Sequence, residues 1–179
     1  ELLGKYLRME LQDCVYNWLV DFFRAHTHCS RFGAVESEFI AISASIIQGS
    51  AAGPASYVVA GSDLRPLTPG NSMVKFADDT YLVIPASNRE SCAEEIKHVE
   101  NWASSNNLRL NHVKSMEIAF VSPRCRRAVV IPAPAVPTIP RVEEIKALGV
   151  TISRKLSVAQ HINHLLVSCA QSLFALRTL

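Results

Sequence analysis

Residues 74–84 read VKFADDTYLVI, and the neighbouring carboxylates Asp78 and Asp79 constrain this chain more than any other feature. Apolar, β-prone residues flank them on both sides, so the stretch reads as a hairpin with the acids at or near its tip. A hairpin that needs only a turn is served by Asn-Gly or Asp-Gly, without the repulsion between adjacent charges. Two carboxylates held close together raise each other's pKa unless a cation neutralises them, and a hard divalent ion such as Mg2+ (or Mn2+) suits an all-oxygen pair. Such a site can activate a hydroxyl and stabilise a pyrophosphate leaving group during an in-line displacement. Asp-Asp is also common in surface turns, and taken alone the pair leaves both readings open.

Around this hairpin the pattern alternates helices with short antiparallel strands. DCVYNWLVDFFRAH (13–26) sets Val15, Trp18, Leu19, Phe22 and Phe23 at helical spacing, with Asp13 as the expected N-cap. Residues 28–47 turn to β-prone composition around Gly33 and suggest a hairpin, with EFIAISASII as a strand. QGSAAGPASYVVA (48–60) reads as a tight turn opening a helix, with Pro54 tolerated in its first turn. Ser87 or Asn88 is the expected cap of a helix running through Trp102 and Ala103, with Ile96, Val99 and Trp102 as its apolar stripe. NNLRLNHVKSMEIAFV (106–121) reads as a loop, a turn and a strand, and the proline-rich stretch that follows as a connection around one short strand. EEIKALGVTIS suggests a hairpin bent at Gly149, and residues 156–178 one long helix starting near Ser157. The expected fold class is α+β, with helices on one face of an antiparallel sheet.

The 179 residues are 49% hydrophobic, enough to build a core. No apolar run is long enough to span a membrane and the N-terminus is charged, so the expected setting is intracellular, nuclear or cytoplasmic, with no secretion and no membrane partner. Five cysteines without a CxxC suggest neither a disulfide framework nor a zinc ribbon. His26, His28 and Cys29 lack a second ligand pair and read as structural. Residues 1–90 hold 7 Lys+Arg against 10 Asp+Glu, and residues 91–179 hold 11 against 6. The basic excess includes Arg124, Arg126 and Arg127, which suit a polyanion or a solvated loop.

FADDTYLVIP resembles the central catalytic motif of reverse transcriptases, a hairpin of form aromatic-Ala-Asp-Asp. IIQGSAAGP is similar to the Gln-Gly-Ser-x-x-Gly-Pro motif that precedes it there, and NNLRLNHVKS to the following Gly-Leu-x-x-Asn-x-x-Lys motif. IKALGVTIS resembles the Leu-Gly hairpin that holds the primer end. With all four in the family's order, the resemblance is closest to the enzymes of non-LTR (LINE-like) retrotransposons and spans nearly the whole chain. It implies a partial polymerase palm over 1–121, a proline-rich connection over 122–140, a primer-grip-like hairpin over 141–155 and the start of a helical thumb over 156–179. The implied activity is primer extension with deoxynucleoside triphosphates on an RNA template.

The same resemblance assigns roles. Asp78 and Asp79 hold the metal ions, with Asp78 the firmer ligand, and Phe76, Ala77 and Tyr81 shape the hairpin. Gln48, Gly49, Ser50 and Gly53 lie beside the nucleotide and template, where glycine lets a backbone approach a nucleic-acid strand. Lys114 protonates the leaving pyrophosphate or neutralises its charge, and Leu148 and Gly149 grip the DNA primer. Three departures stand out. No strand ending in an aspartate precedes Asp13, so the first palm motif with its further metal ligand, and the fingers, are expected to be missing and the isolated chain inactive. Ile47 replaces a common proline, and Asn107 stands where the lysine-bearing motif commonly has glycine. The alternatives are a remnant of a decayed element that folds or binds RNA without catalysis, and a metal-dependent nuclease or phosphohydrolase.

Overall fold

A computed structural model describes residues 2–24, 26–42, 46, 49–121, 131 and 134–178. They fall into two compact units, Glu1–Ser91 and Cys92–Leu179.

In the first unit, helices α1 (Leu2–Leu7) and α2 (Asp13–Phe22) pack on each other. Strands β1 (Thr27–His28) and β4 (Ile40–Ala41) enclose β2 (Arg31–Phe32) and β3 (Val35–Glu36). Gly33 and Ala34 form the two-residue turn between β2 and β3, with Gly33 at φ +62°. Helix α3 (Gly53–Ala60) starts with Pro54 in its first turn, where the missing N–H leaves no helical hydrogen bond unmade. It buries Gly53, Ser56 and Val59, one stripe at a spacing of three, and packs against α1. Tyr6, Leu19 and Val59 form the core, with Leu2, Leu3, Leu11, Tyr16 and Phe23 around it. The Ser56 hydroxyl is fully buried and takes a 2.9 Å hydrogen bond from the Tyr6 hydroxyl, so the polar group in this core is satisfied.

The acidic hairpin follows as β5 (Ser72–Phe76) and β6 (Asp79–Val83), with Phe76 opposite Asp79. Only Ala77 and Asp78 separate the strands. Below β5, Pro69 and Gly70 occupy the centre of a turn closed by Asn71 N–H to the Thr68 carbonyl at 3.1 Å. Gly70 sits at φ +90°, as the third position of a type II turn requires. The hairpin base is then tied to its exit. Asn88 Nδ2 donates to the Pro69 carbonyl (2.8 Å) and to Asn71 Oδ1 (3.0 Å), and Asn71 Nδ2 donates to Ser91 Oγ (2.9 Å).

In the second unit, helix α4 (Cys92–Ser105) leads through a loop to the hairpin β7 (Glu144–Ala147) and β8 (Val150–Ser153), then to α5 (Ala159–Thr178). Arg154 forks onto both Glu143 oxygens at 2.8 and 3.1 Å at the base of that hairpin. Ser157 Oγ accepts the Ala159 N–H at 3.3 Å and so caps α5. No residue of α5 is buried.

Several sequence expectations change. The class is α+β, but the described strands form four separate two-stranded antiparallel sheets and not one sheet. Three of these pairs are closed by local turns, and no described strand bridges one pair to the next. Asp13 is the first residue of α2 and not its cap: Gln12 is the N-cap, with its carbonyl accepting Val15 and Tyr16 N–H groups. Asp13 still favours the helix, as an acid in the first turn. Asn88 spends its side chain on the hairpin base, and a 3-10 helix (Ala86–Ser91) precedes α4. The stripe of Ile96, Val99 and Trp102 is half-buried, while Glu95 and Ala103 are the buried residues of α4. The strand expected within 106–121 reduces to an isolated bridge between Glu117 and Arg141, joined by their 2.5 Å ion pair. Leu156 lies outside α5 at φ +57°. Of EFIAISASII only Ile40–Ala41 is a described strand, and the short strand expected in the proline-rich stretch, like Arg124, Arg126 and Arg127, lies outside the described residues.

Replacing Tyr6 with Phe leaves Ser56 buried without its donor. Tyr6→Phe is expected to destabilise the chain by about 1–3 kcal/mol, read from the midpoint of a urea unfolding curve.

Candidate active site

Asp78 and Asp79 stand at the tip of the hairpin, both exposed. A two-residue hairpin loop needs positive φ at its first central position to match the strand twist, and Ala77 supplies it at +50°. The equivalent position of the β2–β3 turn is a glycine, which adopts that conformation without strain. Ala77 carries a Cβ there, so the acidic turn holds a strained residue between Phe76 and Asp78.

Residues along the hairpin divide by alternation. Val74, Phe76, Tyr81 and Val83 share a face with Asp79, and the Tyr81 hydroxyl lies 3.4 Å from Asp79 Oδ2, a long contact. Met73, Lys75, Thr80 and Leu82 make the other face. Lys75 Nζ donates to the Gly61 carbonyl and, at 2.6 Å, to the Leu64 carbonyl, both just beyond α3. Burial holds the Lys75 ammonium below the usual lysine range, Arg65 and Lys5 add to this, and Asp63 opposes it. Asp78 forms no hydrogen bond or ion pair among the described residues. Its charge is felt by Tyr57 on α3, whose phenol burial pushes up and the Asp78 carboxylate pushes up further.

Upstream, Gly49 adopts φ +81°, a conformation that favours glycine, and its missing Cβ faces open space. The Ser50 carbonyl accepts the Gly53 N–H at 3.1 Å, closing the turn that opens α3. Ser50 Oγ is buried and has no hydrogen-bond partner among the described residues. Gly53 is buried where α3 meets α1. Gln48 lies outside the described residues.

Lys114, Leu148 and Gly149 belong to the second unit. Helix α4 ends in a Schellman arrangement: Leu108 N–H reaches back to the Ala103 carbonyl (2.8 Å) and Asn107 N–H to the Ser104 carbonyl (3.3 Å). That motif needs a left-handed residue at Asn107, which sits at φ +56°. The common glycine of the lysine-bearing motif and this asparagine answer the same requirement. Beyond it, Asn111 accepts the Lys114 and Ser115 N–H groups, and the Ser115 hydroxyl donates to its carbonyl at 2.8 Å. His112 is held from both sides, with Nε2 3.0 Å from Glu100 Oε1 and Nδ1 3.0 Å from Thr138 Oγ1. The Lys114 side chain is exposed and forms no ion pair among the described residues.

Leu148 (φ +47°) and Gly149 (φ +86°) are both left-handed, as a type I′ turn demands, and Leu148 is 56% exposed. A leucine in that conformation carries backbone strain that a glycine does not.

Sequence reading missed Tyr57, Lys75 and His112. Each acts through partners distant in sequence. The strand alternation around Lys75 shows only which face it shares.

The donors of the acidic pair are two exposed carboxylates, the all-oxygen chemistry a hard cation prefers, and Asp78 is uncommitted among the described residues. Among the described residues no group of three or more His, Cys, Asp and Glu side chains is placed to hold a metal ion. None of the described helices is long and apolar enough to cross a membrane.

The chain is thus of mixed α+β class, with an acidic pair at a hairpin tip and the turn at Gly49 and Ser50 opening a helix. Residues 1–152 match the family described as reverse transcriptase (RNA-dependent DNA polymerase), and the chain belongs to that family. Comparison with curated proteins gave no match, and neither did comparison with solved structures.

The Tyr57 phenol reports on Asp78. Its folded-state pKa lies above the ordinary 10.0, so as pH rises past 10.0 the unfolded chain loses its proton first and stability falls. Asp78→Asn removes the second cause of the shift and leaves burial. The Tyr57 midpoint is expected to move down part of the way, measured by ultraviolet titration against a Tyr57→Phe control.

Proposed function

We propose that this chain is part of a non-LTR (LINE-like) retrotransposon reverse transcriptase that extends a DNA primer with deoxynucleoside triphosphates on an RNA template. The observation that carries the reading is the acidic pair on its two-residue turn, pinned at the hairpin base and with Asp78 uncommitted. In this reading 1–121 is partial palm, 122–140 the proline-rich connection, 141–155 the primer-grip-like hairpin and 156–179 the start of the thumb.

Asp78 and Asp79 would hold Mg2+ (or Mn2+), which when bound supplies activation of the primer hydroxyl and charge neutralisation at the pyrophosphate. The two-metal scheme needs more oxygen ligands than this pair offers, so the isolated chain is expected not to polymerise. Gly49 lets the backbone approach the template strand, and Gln48, Ser50 and Gly53 belong to the same nucleotide-side motif. Lys114 puts a positive charge or a proton on the departing pyrophosphate. Leu148 and Gly149 present a rigid tip to the primer end.

In the reverse transcriptase that contains this chain, Asp78→Ala is expected to bring template-dependent nucleotide incorporation to background. Lys114→Ala is expected to lower kcat by about 10²–10⁴ with little change in KM for the nucleotide. Activity indifferent to Asp78→Ala rules the reading out, and a wild-type protein that binds RNA without synthesis points to the non-catalytic remnant.

A further inference from the structure

We propose that Lys75 is a positioning residue: through the end of α3 it fixes where the acidic hairpin stands relative to the helix that carries the Gly49, Ser50 and Gly53 motif. The inference rests on the polymerase reading for its catalytic consequence and on geometry alone for the clamp.

Three observations converge on it. Lys75 lies in β5, three residues before Asp78 and opposite Thr80, inside the paired part of the hairpin. Its ammonium donates to the Gly61 and Leu64 carbonyls, so one side chain spans the end of the helix and the turn that follows. Lys5 of α1 donates to the neighbouring Ala60 carbonyl and to Asp63 Oδ1 at 2.7 Å, which holds the same helix end from another side. A helix C-terminus leaves carbonyls without partners and carries partial negative charge, so two ammonium groups there are favourable and directional.

The other end of α3 begins at Gly53, eight residues and about 12 Å away. A rigid helix held at its C-terminal end by the hairpin's own lysine sets the hairpin and the glycine-rich turn as two ends of one lever. Tyr57, midway along α3, already feels the Asp78 charge. A neutral side chain at position 75 keeps the apolar stem and loses both hydrogen bonds.

The test compares wild type, Lys75→Met, Lys75→Arg and a control, Lys97→Met at an exposed lysine of α4 in the second unit, in the reverse transcriptase that contains this chain. A 1 Å misplacement of reacting groups costs about 100-fold, and Lys75→Met is expected to lose about that much in kcat with KM for the nucleotide within about twofold. Lys75→Arg, which keeps a two-pronged cationic donor, recovers most of the loss, and Lys97→Met changes nothing. The second readout needs no activity. With 3-fluorotyrosine at position 57, the fluorine resonance is expected to shift on Asp78→Asn when Lys75 is present and to lose that response in Lys75→Met. Should Lys75→Met fail to fold, Lys75→Gln, whose shorter amide cannot reach both carbonyls, is read in the same two ways. An Asp78-dependent fluorine shift unchanged by these variants overturns the clamp, whatever the kinetics. Polymerase activity insensitive to Asp78→Ala instead overturns the functional reading, and the fluorine response still decides the clamp.

Discussion

The first unit depends on what happens at the C-terminal end of one short helix. Eight residues of α3 leave backbone carbonyls that the helix cannot satisfy, and a helix of this length is not stable alone in water. Lys5 meets the Ala60 carbonyl from α1 and pairs with Asp63, and Lys75 meets from β5 the Gly61 and Leu64 carbonyls just beyond the helix. Val59 then buries against Tyr6 and Leu19, and the buried Ser56 hydroxyl beside it takes its hydrogen bond from Tyr6. Packing gives α3 its stability, and the two ammonium groups give it an address.

The second unit uses different means for the same purpose. Its lysine-bearing loop is placed by a helix end that turns on a left-handed asparagine and by a histidine gripped between Glu100 and Thr138. Its hairpin is squared by the Arg154 fork onto Glu143 and ends in two left-handed residues. Asp78, Asp79 and Lys114 are exposed and Lys75, Asn88 and His112 are paired, whereas Ser50 Oγ and Gly53 are buried.

Much of the local structure was legible because it rests on neighbours in sequence. The two-residue turn at Asp78, the proline opening α3, the bend at Gly149 and the helix beginning near Ser157 all follow from residues within a few positions of one another. Asn107 was legible too, since asparagine is the non-glycine residue that best tolerates a left-handed backbone. The single sheet was not, because alternation reveals a strand and says nothing of whether its outer edge finds a partner. Nor was Lys75, whose acceptors are backbone carbonyls 11 and 14 residues earlier. A carbonyl has no identity in a sequence. Asn88 misled for a related reason: a cap residue and a cross-turn donor have the same composition, and here the distant partners Pro69 and Asn71 won.

The base of the acidic hairpin has a mechanical meaning. Each arm is five residues long, about 17 Å at the usual rise per residue. Over that length a tilt of one degree at the base sweeps the tip through about 0.3 Å, so angular play at Asn71 and Asn88 is magnified where the carboxylates sit. The type II turn at Pro69-Gly70 leaves little room for such play: a Cβ on Gly70 would come within 3.2 Å of Asn88 Nδ2. Angular play at these side-chain amides, some 17 Å from the tip, therefore adds to whatever freedom the proposed Lys75 clamp leaves the acidic pair.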